Sequence, residues 1–162
     1  NVFLGLVHRL DRMTSGLMVY AKTSKGASRL SEMIREKTFT KKYLCLVEGI
    51  ISGNGTLVDR VSFDEKKLKA FIDKEGKKAE LNYKVLYHDN GNTMLEVELI
   101  TGRHHQIRLQ FSNINHPLVG DTLYGSKTKC NIYLHAYYLS FLDPINKERI
   151  EFINYPKWYN KK

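Results

Sequence analysis

The sequence predicts an α+β fold with a largely antiparallel mixed sheet flanked by a few helices. Three observations predict it. Residues 79–87 and 93–100 both alternate apolar and polar side chains, and Asp89-Asn90-Gly91-Asn92 between them is a hairpin signal. Residues 24–36 and 105–114 carry apolar side chains at helical spacing instead. The 162 residues hold no repeat, low-complexity tract or Pro-rich linker, so we expect one domain, 1–162, long enough to bury a sizeable core.

The elements follow in order. Residues 17–22 read as a short apolar strand. Ser24 caps a helix running to about residue 36, with Ala27, Leu30, Met33 and Ile34 on its apolar side. Residues 43–47 read as a strand with Tyr43, Cys45 and Val47 on one face and Leu44 and Leu46 on the other. A turn at 52–55 precedes a strand at 56–61. The charge-dense stretch 64–78 is expected to be a solvated loop. After the hairpin, 105–114 forms a short helix with Ile107, Phe111 and Ile114 on a shared face. Strands at 132–141 and 149–155 flank a turn made by Asp143-Pro144-Ile145-Asn146.

Composition narrows the class of function. The 26 Lys and Arg against 17 Asp and Glu give a net charge of +9. Such an excess suits polyanions, nucleic acid ahead of acidic membrane surfaces. No apolar run is long enough to cross a bilayer and no signal peptide is visible. Cys45 and Cys130 are too few and too far apart for a disulfide framework or a zinc site. Both sit among apolar residues and are expected to be buried free thiols in a reducing cytoplasm. Because the first residue is Asn1 and not Met, a fragment of a longer protein is expected.

Three polar segments are dense in groups that do chemistry. In the first, His8-Arg9-Leu10-Asp11-Arg12-Met13-Thr14-Ser15-Gly16-Leu17, arginines flank a carboxylate ahead of a tight turn. Such a carboxylate acts as nucleophile or base, or merely braces the turn. In the second, Thr101-Gly102-Arg103-His104-His105-Gln106-Ile107-Arg108, two arginines and two histidines sit at a helix start, where anions are favoured. Adjacent helical residues diverge by about 100°, so His104 and His105 do not share a metal ion, and no metal is expected. The third, His116-Pro117-Leu118-Val119-Gly120-Asp121-Thr122-Leu123-Tyr124-Gly125, reads as a structured loop whose His116 and Asp121 are ligands, acid–base groups or simple braces. Lys41-Lys42-Tyr43 adds cations beside an aromatic, as stacking on an unpaired base requires, though a strand Tyr also serves as core.

Together these segments resemble the RluA-type pseudouridine synthases. His8-Arg9-Leu10-Asp11 with Thr14-Ser15-Gly16-Leu17 and Ala21-Lys22 is similar to the family's first signature. Lys42-Tyr43-Leu44 with Val47 and Gly49 resembles the next, and Gly102-Arg103 with His105-Gln106-Ile107-Arg108 the third. His116 to Asp121 with Tyr124-Gly125, then Leu134-His135-Ala136, complete the order.

The resemblance implies a pseudouridine synthase catalytic domain that isomerises uridine to pseudouridine in ribosomal or transfer RNA, without a cofactor. By resemblance Asp11 is the catalytic carboxylate. Tyr43 stacks on the uracil and helps remove the C5 proton, Arg108 is the cation paired with Asp11, and Arg9 helps displace the target base. His8, Arg103, His105 and Gln106 are the remaining expected substrate-binding residues. A cytoplasmic monomer with no membrane partner is expected. Departures from the family pattern are His104, Gln110 and Asp143-Pro144. A Lys-Pro strand and any RNA-binding domain ahead of the first signature are absent from these residues. That absence keeps a non-catalytic RNA-binding module as the alternative. A metal-dependent hydrolase using His8, Asp11, His104 and His116 is the third reading.

Overall fold

In a computed structural model the described residues are 3–160. Along the chain run β1 (Gly5–Leu6), β2 (Ser15–Gly16), β3 (Tyr20–Ala21), α1 (Ser24–Arg35), β4 (Thr40–Glu48), β5 (Gly55–Asp64), β6 (Lys69–Ile72), β7 (Lys77–Asp89), β8 (Asn92–Leu99), α2 (Gln106–Asn113), a 3-10 turn (Thr122–Tyr124), β9 (Leu134–Leu142) and β10 (Arg149–Ile153). The fold is α+β with mixed pairing: β2 runs parallel to β9, while β1–β3, β5–β6, β5–β7, β7–β8 and β9–β10 are antiparallel. The chain divides into two compact units. One holds the residues up to Lys42 and from His135 onward; the other holds Tyr43–Leu134.

In the first unit α1 covers an apolar core of Ala21, Leu30, Met33, Phe39, Leu139 and Phe141. Phe39 and Phe141 stack face to face, with centroids 5.0 Å apart and planes within 3°. Burying side chains of this size contributes about 1.5–3 kcal/mol each. The cap of α1 is Thr23, one residue before the expected Ser24: its Oγ1 accepts from Gly26 N–H at 3.0 Å. The strand expected at 17–22 shrinks to Tyr20–Ala21, preceded by the separate β2. The amides between them have other partners. Leu17 N–H donates to Ala136 O, and Val19 N–H donates to the His8 ring, so no continuous ladder forms.

In the second unit the strands lie in the order β4-β8-β7-β5-β6. The β7–β8 hairpin turns through Asn90 and Gly91, both at positive φ (48° and 78°), the two-residue geometry that the Asn-Gly pair favours. The solvated loop expected at 64–78 is instead largely a second hairpin, β5–β6. Its charges form the tip, where Asp64 Oδ1 accepts from the amides of Lys66 and Lys67. Strand β6 lies at the sheet edge and buries only Ala70 fully, so it shows no alternation; charge on an edge strand also discourages further pairing.

The helix α2 departs from the expected single apolar face. Gln106, Ile107, Arg108, Leu109, Gln110 and Phe111 are all buried. Hydrogen bonds accommodate much of this polarity: Gln110 Nε2 donates to Asp59 Oδ2 at 2.8 Å, although its Oε1 is buried without a hydrogen-bond partner. Cys45 is buried, as expected, but Cys130 is exposed: the loop ahead of β9 carries its thiol to the surface.

Candidate functional site

Two sets of candidate residues emerge, one in each unit. In the first unit, Asp11 opens a tight turn closed by Thr14 N–H donating to Asp11 O at 2.9 Å. Asp11 is half-buried, while Arg9 and Arg12 beside it are exposed. Both ends of this turn are anchored. On the upstream side His8 Nε2 accepts from Val19 N–H at 3.0 Å, and the ring packs at 5.6 Å from Phe39. Burial, assisted by the charge of Lys41, pushes the His8 pKa down to about 4. A neutral ring whose Nε2 accepts must carry its proton on Nδ1.

On the downstream side β2 pairs in parallel with β9, Ser15 opposite His135 and Gly16 opposite Ala136. His135 Nε2 lies 2.9 Å from the Asn154 carbonyl and so donates to it. Its Nδ1 therefore accepts from Ser15 Oγ at 2.8 Å. Gly16 has a φ of 123°, and a Cβ there would lie 2.3 Å from Ala136 O. No other residue fits this contact without moving backbone.

In the second unit, Arg108 is the centre. Its Nε and Nη2 donate to Asp121 Oδ2 and Oδ1 at 2.7 and 2.8 Å, a bidentate fork with side chains only 6% and 2% exposed. The guanidinium also lies over the Tyr124 ring at 5.0 Å, and Lys69 Nζ approaches that ring at 5.2 Å. Tyr124 Oη accepts from Ala70 N–H at 2.7 Å and sits 2.9 Å from His105 Nδ1. His105 does not begin the helix as expected but precedes it at φ 51°, a left-handed conformation costing about 1 kcal/mol that its ring contacts hold in place.

The other expected binding residues differ in exposure. Arg103 is exposed, its Nε donating to Lys78 O at 2.9 Å. Gln106 is 3% exposed: Oε1 accepts from Arg103 N–H and Thr101 Oγ1, and Nε2 donates to Glu80 O. It therefore shapes the 102–105 loop. Tyr43 lies on β4 and is 6% exposed. For the metal reading, His8 offers no free ring lone pair, and the His116 Nδ1 donates to Glu48 O at 2.8 Å.

Sequence reasoning missed what Asp121, Tyr124 and His135 do. Asp121 was offered as a ligand, an acid–base group or a brace of its loop, without Arg108 as its partner; Tyr124 was visible only as a member of that loop, and His135 only as part of a strand. The one signal for Asp121 was a buried arginine in need of a carboxylate. The first unit supplies a carboxylate on a turn fixed at both ends, and the second a guanidinium locked in a dry surrounding. Charge placed in advance is what a polar transition state requires.

Comparison with known proteins is consistent with this chemistry. The family model for RNA pseudouridylate synthase matches residues 2–113. Ribosomal large subunit pseudouridine synthase D of Yersinia pestis is 40% identical over 126 residues, 77% of this chain and 39% of that protein. The protein of the same name from Vibrio cholerae is 33% identical over 165 residues, covering 91% and 51%. The chain thus spans about two fifths to one half of these relatives. Among solved structures, human RNA Pseudouridylate Synthase Domain Containing 1 superimposes with a TM-score of 0.82 at 26% identity, covering 95% of this chain and 69% of that one.

Proposed function

The chain belongs to the RluA-type RNA pseudouridine synthase family, and from that premise we propose that it isomerises uridine to pseudouridine in RNA. The observation that carries the proposal is the match over residues 2–113, a span that includes Asp11, Tyr43 and Arg108. The substrate we propose is ribosomal RNA, as the names of the relatives suggest, with transfer RNA second. The proposed setting is the cytoplasm, and the proposed state a monomer.

The reaction breaks the N1–C1′ glycosidic bond, turns the uracil and rejoins it through C5. One C–N bond is exchanged for one C–C bond, and the C5 proton moves to solvent while N1 gains one. Nothing is oxidised or reduced. Asp11 supplies the carboxylate that starts the exchange, either at C1′ or at the 2′ proton. Tyr43 stacks on the uracil and assists loss of the C5 proton. Arg108 contributes positive charge, and its Asp121 fork restricts its rotamers. Arg9 assists extrusion of the base, which costs a few kcal/mol of stacking and pairing. Arg103 and His105 contact the RNA. His8 and Gln106 act through the backbone they hold.

The test is tritium release from RNA labelled at uridine C5, comparing the chain with Asp11→Asn. The proposal expects release by the unmodified chain alone. Equal release by both removes Asp11 from its role. Binding without release by either identifies a non-catalytic RNA-binding module.

A further inference from the structure

The lysine pair ahead of Tyr43 is divided between two faces of β4. Lys42 lies over the Tyr138 ring at 5.5 Å. Phe39, three residues earlier, packs against the His8 ring at 5.6 Å. Strand alternation places Lys41 on the face of β4 opposite Lys42. The charge of Lys41 is felt at the His8 imidazole, and burial lowers the pKa of Lys41 itself.

A half-buried ammonium costs free energy unless its donors are satisfied. Among the described residues no carboxylate lies within ion-pair distance of Lys41. His8 cannot serve, because Nε2 already accepts from Val19 N–H and Nδ1 carries the proton. That Nδ1 is itself buried without a hydrogen-bond partner, so the imidazole presents Lys41 with a donor and no free acceptor. The anchored turn that begins at His8 also carries Arg9 and Arg12 on its surface.

We propose that Lys41 binds a backbone phosphate of the RNA, beside the nucleotide handled by the Asp11 turn, and so contributes to RNA affinity and not to the chemical step. This rests on the function proposed above. A phosphodiester oxygen suits an ammonium, a compact charge with three donors on a flexible stem. Partial burial strengthens the contact, because the charges meet in a lower dielectric than water. The phosphate acceptor also offsets the desolvation that the folded chain alone leaves uncompensated.

The experiment measures binding of an unmodified large-subunit ribosomal RNA transcript across a series of KCl concentrations, with single-turnover isomerisation at saturating RNA alongside. The proteins are the unmodified chain, Lys41→Met, Lys41→Arg and, from the opposite face, Lys42→Met. For Lys41→Met the slope of log affinity against log salt should shrink by about 0.9, the value of one phosphate, and affinity near ~0.1 M salt should fall roughly tenfold. The saturated single-turnover rate should stay within about twofold, since the contact holds substrate and transition state alike. Lys41→Arg should retain the slope and Lys42→Met should leave it unchanged. An unchanged slope in Lys41→Met, or an equal loss in Lys42→Met, overturns the proposal. The binding arm does not need turnover, so absence of isomerisation would count against the proposed function and leave the phosphate contact separately decidable.

Discussion

Replacing Asp121 by Asn should destabilise the chain far more than its position in a loop suggests. The side chain is 2% exposed and receives two charge-assisted hydrogen bonds, at 2.7 and 2.8 Å, from an arginine that is 6% exposed. Asparagine keeps the size but loses the charge, and its NH2 faces a donor of the fork. A charge-assisted bond contributes about 1.5–3 kcal/mol net, and breaking a buried pair costs about 3–5 kcal/mol, so a loss near 3 kcal/mol is expected for this conservative change. For a chain of this length that corresponds to a Tm lower by about 6–12 °C. Urea denaturation of the variant against the unmodified chain measures it. The double variant Arg108→Met with Asp121→Leu, which removes both charges and keeps bulk, should recover much of the loss. A cost below about 1 kcal/mol for Asp121→Asn, or a double variant no better than the single one, would refute the reasoning that loss of the charge-assisted fork is the cause.

Gly16→Ala should cost at least about 3 kcal/mol and lower turnover, because the new Cβ meets paired backbone of Ala136 at 2.3–2.8 Å; denaturation showing a loss under about 1 kcal/mol would contradict it. His8 should make stability pH-dependent. Its folded pKa, about 4, lies below the ordinary 6.5, so the unfolded chain binds more protons between those values. Stability is therefore fully present above pH ~6.5 and declines as pH falls toward ~4. A His8 titration by NMR with a midpoint near 6.5 would refute this. Of the two thiols, Cys130 should react quickly with a disulfide reagent in the native chain and Cys45 only on unfolding, because burial pushes the Cys45 thiol pKa up. Two fast thiols per chain would count against the fold around β4.

What could be read from the sequence was what local periodicity writes. The Asn90-Gly91 turn and the alternation on either side of it have one good solution, and β7–β8 adopts it. The apolar spacing of Ala27, Leu30, Met33 and Ile34 likewise located α1 to within a residue. Strand β6 was hidden because its pairing energy comes from backbone hydrogen bonds to β5, while its side chains are mostly those of a loop. Strand β2 was hidden for a different reason. Two residues make no period, and their partners lie far along the chain. For the candidate site, the family resemblance offered Asp11 and Arg108, whereas the Arg108–Asp121 fork and the Ser15–His135 bond depend on distant residues meeting. A single sequence records such meetings only as polar residues with no visible partner.

The parallel pairing of Ser15 and Gly16 with His135 and Ala136 has a consequence for how the chain acquires its shape over time. The hydrogen bond between Ser15 and His135 joins residues 120 positions apart. Loop closure over such a separation is slow compared with forming a hairpin, and during synthesis it cannot begin until β9 has left the ribosome. Residues 43–134 can build their hairpins before that moment. The turn carrying Asp11 lacks its downstream anchor until then. Maturation of the carboxylate is thereby tied to the arrival of a late strand, and a nascent chain, though it already contains every residue of the first signature, holds that segment unfastened.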